Sequence, residues 1–230
     1  MITLEISKEI PTMIIITILI IAAIYYLGSK IKKANPYQEL SLSSTISILI
    51  VDGFDKLVAK TMDEKAVKNF GPYIATIAFY ILCSNLSGLF GLNAPTANLS
   101  NTLALAIITW VLIEFTSLKY NGLKSYIKSL FEPFFVFFIP NLLSKFAPLI
   151  SMSIRLFGNI LSGSTIMAML YLATNMLSEL ILKFINLNFS FNFVALIITP
   201  ILHLYFDIFS GFIQTMVFVY LTMILIQKEK

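Results

Sequence analysis

Long runs without a single charged residue divide this chain, at 10–29, 69–113, 146–154, 156–178, 184–206 and 208–227. A helix needs about 20 apolar residues to cross the hydrocarbon core of a bilayer, and all but one of these runs reach or exceed that length. Across its 230 residues 58% are hydrophobic and 12% charged, where soluble domains carry about 25% charged residues. With a mean hydropathy of +0.88, the expectation is one polytopic α-helical membrane domain over 1–230, with about five crossings.

The last runs are broken by isolated charges. The chain has 15 lysines and one arginine, and that arginine, Arg155, stands alone between Lys145 and Glu179. A guanidinium at membrane depth costs about 2.5–3.5 kcal/mol even on translocon-insertion scales, so an ionisable residue there is a functional candidate by default. Its pKa above about 12 keeps it charged where a lysine can lose its proton. A lysine-rich composition explains why arginine is scarce. It does not explain where the one arginine sits.

Along the chain, a first membrane helix is expected at 11–28, with Lys8 before it and Lys30, Lys32 and Lys33 after it. That asymmetry predicts an uncleaved anchor with its N-terminus outside. Residues 44–68 place Ile46, Ile50, Phe54, Leu57, Val58 and Met62 on one side of a helix, with Asp55, Lys56, Lys60 and Lys65 elsewhere. This reads as an amphipathic helix on the membrane surface or against the bundle. A helical hairpin follows over 71–118, turning through the polar stretch 91–101. Pro133 to Pro140 is too short to cross, so 133–144 is expected to be interfacial or re-entrant. Two arms, about 142–178 and 191–227, complete a pair over 142–227. At 1.5 Å per residue each is roughly 50–55 Å long, beyond a core of about 30 Å, so they must tilt or bend. Thr199-Pro200 is the expected kink. With the N-terminus outside, five crossings leave 13 lysines in the cytoplasm, with Lys8 and Lys183 outside. The positive-inside rule favours this orientation.

Both arms carry polar stripes at helical spacing. On the first lie Ser151, Arg155, Asn159, Ser162 and Thr165; on the second His203, Asp207, Ser210 and Gln214. Asp207 is the only charge between Lys183 and Lys228, and His203 the only histidine. Such stripes either hold helices together or form an ion path. The charged members argue for the path, although an Arg155–Asp207 ion pair locking two helices is the structural alternative. Glu114 sits either at headgroup level or at a water-filled mouth. The chain has no Gly-rich phosphate loop, no His/Cys metal cluster and no nucleophile–base pair, so no cofactor, metal site or active site is expected. The single cysteine, Cys83, excludes an intrachain disulfide. The lysines cluster at the ends of apolar segments, which explains the net charge of +4 without nucleic acid.

Three segments resemble the subunit a family of the rotary F-type ATP synthases. Residues 148–159, ending Ile154-Arg155-Leu156-Phe157-Gly158-Asn159, are similar to that family's arginine signature, followed by Ser162 and Gly163. Residues 211–222 with Gln214 resemble its last-helix signature, and Asn85, Pro95-Thr96 and 103–106 its hairpin. The resemblance covers roughly 70–226 and favours bacterial members, which implies a bacterial plasma (inner) membrane. It also implies a ring of c subunits turning past the arms, with peripheral-stalk b subunits as further partners. Arg155 would favour the ionised ring carboxylate and block leakage between two aqueous half-channels, supported by Asn159 and Gln214. Many members carry Glu or His nine residues after the arginine, paired with His or Glu on the last helix. Here those positions hold Ser164 and Asp207, and His203 stands one turn from Asp207 to compensate. Either H+ or Na+ remains open as the transported ion. A stand-alone transporter or channel using Arg155 and Asp207 is the alternative function, against which no inverted repeat and few crossings count.

Overall fold

The computed structural model describes residues 8–33, 42–185 and 191–229. The 186–190 part of the connection between the arms and Lys230 lie outside the described residues. Its helices are α1 (Ile10–Lys33), α2 (Leu42–Thr61), α3 (Glu64–Leu86), α4 (Leu99–Phe131), α5 (Phe138–Phe184), α6 (Phe193–His203) and α7 (Ser210–Lys228). A π-helical turn, Leu204–Phe209, joins α6 to α7 without a break in the rod. Five segments are long and apolar enough to cross a membrane: 10–30, 66–90, 99–131, 135–184 and 193–228. The protein is an all-α polytopic membrane protein whose last two arms form a hairpin.

The amphipathic pattern of α2 has a tertiary reason. Phe54, Leu57, Val58 and Met62 pack with Ala66, Phe70, Ile74 and Ala78 of α3, Ile113 of α4, and Val219, Met223 and Ile226 of α7. The outer half of α2 stays uncovered at Ile46 and Leu49. Asp63 breaks the chain between α2 and α3, which resumes at Glu64 and runs through Pro72. Thr76 Oγ1 donates to the Pro72 carbonyl at 2.7 Å, one of several hydroxyls that bond their own helix backbone.

A second cluster positions the arms. Ile77 and Ile81 of α3, Ala106 of α4, Met152 and Leu156 of α5, and Phe218 of α7 meet in one apolar contact. Leu156 is fully buried. Adjacent residues on a helix point about 100° apart, so burying Leu156 turns Arg155 outward. Antiparallel contact between α4 and α5 includes the small and hydroxyl residues Thr102 and Ala106, while the buried Thr109 meets the Tyr73 hydroxyl of α3 at 2.7 Å. Thr102 and Ser153 share a hydrogen bond of 3.3 Å, and Trp110 Nε1 donates to the Lys145 carbonyl at 2.8 Å. Small residues let membrane helices approach closely, and polar pairs fix their register.

The second helix of the hairpin, α4, extends past its expected end at 118. It continues to Phe131 across a break at Gly122, whose φ of 73° and ψ of 153° lie outside the helical region. A glycine adopts that conformation without a Cβ clash. Beyond Pro133 the chain makes a short 3₁₀ turn, Phe135–Phe137, and then enters α5. Pro140 falls in the first turn of α5, where its missing N–H would have no intrahelical partner in any case. At 47 residues, α5 is roughly 70 Å long.

Candidate ion path along the arms

The α5–α6 turn is closed by Asn192. Its Oδ1 accepts from Ser178 Oγ at 3.0 Å and from the Ala195 N–H at 3.0 Å, capping α6. Its Nδ2 donates to Thr174 Oγ1 at 3.2 Å. From this turn a line of polar groups runs down the contact between the arms.

Next along the line is a group of three. The Tyr171 hydroxyl lies 3.1 Å from His203 Nε2, and His203 Nδ1 lies 2.5 Å from Asp207 Oδ2. The His203 and Asp207 side chains are 36% and 27% exposed. The π turn widens the helix where Asp207 sits, and such turns recur at functional sites. Further on, Ser210 Oγ donates to Asn159 Oδ1 at 2.7 Å. With Ser210 opposite Asn159 in an antiparallel pair, Gln214 falls level with Arg155. Gln214 is buried, and its Nε2 and Asn159 Nδ2 are buried donors that meet no acceptor among the described residues.

Arg155 is exposed on the surface of α5, and its guanidinium meets Ser151 Oγ at 3.4 Å. None of the ion pairs among the described residues includes Arg155, so the Arg155–Asp207 lock does not form in this structure. Ser162 and Ser164 are also exposed, each bonding a carbonyl of its own helix, Asn159 at 3.1 Å and Leu161 at 3.0 Å. Nine residues separate Ser164 from Arg155, so Ser164 points to the opposite side of α5. The two arms therefore do not present one continuous polar face. Arg155, Asn159 and Ser162 line one side of α5, and Ser164 and Tyr171 the other.

Glu114 lies near the middle of α4, within a cluster rather than alone. Its Oε2 accepts from the Tyr126 hydroxyl at 2.7 Å and lies 3.5 Å from Lys145 Nζ. Lys145 is also 4.0 Å from Glu229 and 4.0 Å from the centre of the Tyr126 ring. The Glu114 and Lys145 side chains keep 12% and 16% exposure.

Sequence reasoning missed Tyr171, and it marked Asn85 through the hairpin resemblance without a contact for it. Asn85 Oδ1 accepts from Thr96 Oγ1 at 3.0 Å and its Nδ2 donates to the Gly211 carbonyl at 3.2 Å, tying the α3–α4 turn to the start of α7. Tyr171 was one tyrosine among ten. The available signal was its spacing: seven residues after Ser164 puts it two turns further on the same side of α5.

The family model for the ATP synthase A chain matches residues 11–227. ATP synthase subunit a of Mycoplasma genitalium is 32% identical over 226 residues, covering 94% of this chain and 77% of that protein. The sodium-ion-specific subunit a of Propionigenium modestum is 30% identical, covering 91% and 69%. Subunit a of Geotalea daltonii is 32% identical, covering 94% and 84%.

Proposed function

The chain belongs to the ATP synthase A chain family, and we propose that it is the stationary half of the ion path in a rotary ATP synthase, facing a ring of c subunits. Membership favours an ion-translocating subunit of the membrane sector over a stand-alone transporter or channel. The observation that carries the proposal is the orientation of Arg155. A permanent cation is held outward by the buried Leu156, with none of the ion pairs of the described residues involving it. A charge so placed is complementary to a carboxylate supplied by another chain.

Each ring carboxylate that arrives protonated or ion-bound meets a guanidinium that favours its ionised form, so the ion is released. Because Arg155 stays charged, it also repels any cation moving directly between the two aqueous half-channels. Asn159, Ser210 and Gln214 supply polar groups beside it, and the unpaired donors of Asn159 and Gln214 suit a passing carboxylate or water. His203 and Asp207 line the half-channel on the side of the α5–α6 turn, with Ser162 and Ser164 on the flanks of α5. Glu114 marks the opposite mouth. The lysine distribution sets the N-terminus outside and the C-terminus in the cytoplasm of a bacterial plasma membrane. The b subunits of a peripheral stalk would hold the chain against rotation.

The test is ATP-driven ion pumping by inverted membrane vesicles, with Arg155→Ala compared to wild type. Assembly is checked by co-purification with the ring. A variant that assembles and hydrolyses ATP but does not pump is the expected result. One that assembles and pumps at the wild-type rate removes Arg155 from the mechanism and the proposal with it.

A further inference from the structure

We propose that the connection between α4 and α5 is a membrane-inserting wedge that binds anionic phospholipid. Lys119, Lys124 and Lys128 take the phosphate groups, and the stretch 134–136 sits among the upper acyl chains. The inference stands apart from the ion-path reading and does not depend on it.

The first observation concerns length and direction. From Leu99 to the break at Gly122, α4 rises roughly 34 Å, which already exhausts a hydrocarbon core of about 30 Å. Tyr126 stands 12 residues after Glu114, so on a straight helix it would lie roughly 18 Å further out. Its hydroxyl nevertheless reaches Glu114 Oε2 at 2.7 Å, and Lys145 Nζ lies 4.0 Å from its ring centre. The chain therefore turns at Gly122, and residues 123–131 lie against the end of the bundle instead of continuing into water. Phe131 then stacks on Phe138, the first residue of α5, with 5.0 Å between ring centres. The segment leaves one helix and enters the next at a similar depth, which is the depth of the interface.

The second observation is rigidity. Asn141, in the first turn of α5, donates to the Leu130 and Glu132 carbonyls at 3.1 and 2.8 Å. These acceptors at the end of α4 have no partner in their own helix. Phe131 also stacks on Phe135 at 5.3 Å. Beyond this fixed base the tip is bare: Phe134, Phe135 and Val136 are 70%, 77% and 82% exposed. A large apolar surface built this firmly marks an interaction site.

The charges say what covers it. Leu123, Ile127 and Phe131 follow steps of four and share one face of the short helix, with Leu123 and Ile127 exposed. Lys124 and Lys128 run along its edge, and Ser125 and Ser129 lie behind them. Apolar face, cationic edge and polar back are the order of a helix lying in a membrane interface. Neither Lys119 nor Lys124 belongs to any ion pair among the described residues, and Lys128 meets Glu132 at 3.4 Å with both side chains open to solvent. Three cations thus face outward against one carboxylate, complementary to phosphate. Protein interfaces are depleted in lysine, whereas flexible ammonium groups around an apolar tip suit mobile lipid headgroups. Seated in lipid, the wedge fixes the depth at which α5, the arm carrying Arg155, begins.

The test places the intact complex in phosphatidylcholine nanodiscs doped with a photoactivatable phosphatidylglycerol or a photoactivatable phosphatidylcholine, and maps adducts by mass spectrometry. Wild type should carry adducts on residues 123–137 that favour the phosphatidylglycerol probe at least about tenfold, since each lysine near an anionic surface contributes about fivefold. Salt should shrink that preference, because the lysines are exposed. Lys124→Gln combined with Lys128→Gln should cut it at least about fivefold and leave phosphatidylcholine adducts unchanged. Glu132→Gln frees Lys128 and should raise it, a response that a merely structural turn would not give. For depth, a nitroxide on Val136→Cys, in a complex otherwise free of reactive cysteine, should relax faster with oxygen than with a water-soluble nickel complex. Equal labelling of wild type by the two probes overturns the anionic site. A nitroxide reached better by nickel overturns the wedge, and one shielded from both, with no lipid adducts, means that another subunit covers the turn and overturns it too. The probe comparison in wild type needs no variant, so it decides even if substituted chains fail to assemble.

Discussion

Asn85 and Gly211 meet across the bundle, the side-chain amide of one donating to the backbone carbonyl of the other at 3.2 Å, and the contact is buried. It depends on the absence of a side chain at 211. A Cβ built there would lie 3.2 Å from Asn85 Cβ, closer than ordinary van der Waals contact, so Asn85 at the end of α3 would have to give by about a few tenths of an ångström. Gly211→Ala should therefore lower stability by about 1–3 kcal/mol. The midpoint of thermal unfolding of the purified complex reads this directly; a midpoint at or above wild type would mean that the approach has room to spare.

Lys145 is the one cation between two carboxylates, Glu114 and Glu229. Lys145→Met would leave both acids in a half-shielded pocket. Full burial of an unpaired charge costs about 3–5 kcal/mol. Here residual exposure of 12–26% lets water screen part of that, so the expected loss is about 1–2 kcal/mol. Adding Glu114→Gln should recover some of it. A double-mutant cycle of unfolding midpoints tests the pairing, and additive effects within about 0.5 kcal/mol would show that the two residues do not interact.

Asn192 serves the α5–α6 turn twice, as an acceptor for the Ala195 amide of α6 and as a donor to Thr174. Asn192→Ala removes both functions and should cost about 1 kcal/mol for the cap alone. The effect is local. Hydrogen exchange at the Ala195 amide should accelerate, while the Val194 amide, which donates to Ser178 Oγ, and the α3–α7 core stay protected. Asn192→Asp keeps the acceptor and should restore most of the protection at Ala195; unchanged exchange in the alanine variant would rule out the cap.

The long arms were legible because lone charges in apolar runs are rare and helical periodicity is strong. Arg155, Asn159, Ser210 and Gln214 could thus be placed on stripes before any coordinates. The sense in which the stripes face each other could not. That depends on Leu156 reaching a core built from α3, α4 and α7, residues far away in sequence. The π turn at Leu204–Phe209 left no trace in the pattern, since it shifts the register without changing residue type. Lys145 was read as a flanking lysine for the same reason: its partners Glu114, Tyr126 and Glu229 come from two other helices. Gly122 went unmarked because glycines occur inside membrane helices without breaking them.

The outward guanidinium of Arg155 also bears on how the complex is put together. An unassembled copy holds that charge toward lipid, at a cost of about 2.5–3.5 kcal/mol, or roughly two orders of magnitude in the balance between orphan and partnered chain. Tilting, local water or a bound lipid can soften this, but only an acidic neighbour removes it. The same side chain that works in the turning machine thus makes the solitary subunit an uncomfortable guest in the bilayer, and biases it toward incorporation before it performs any work.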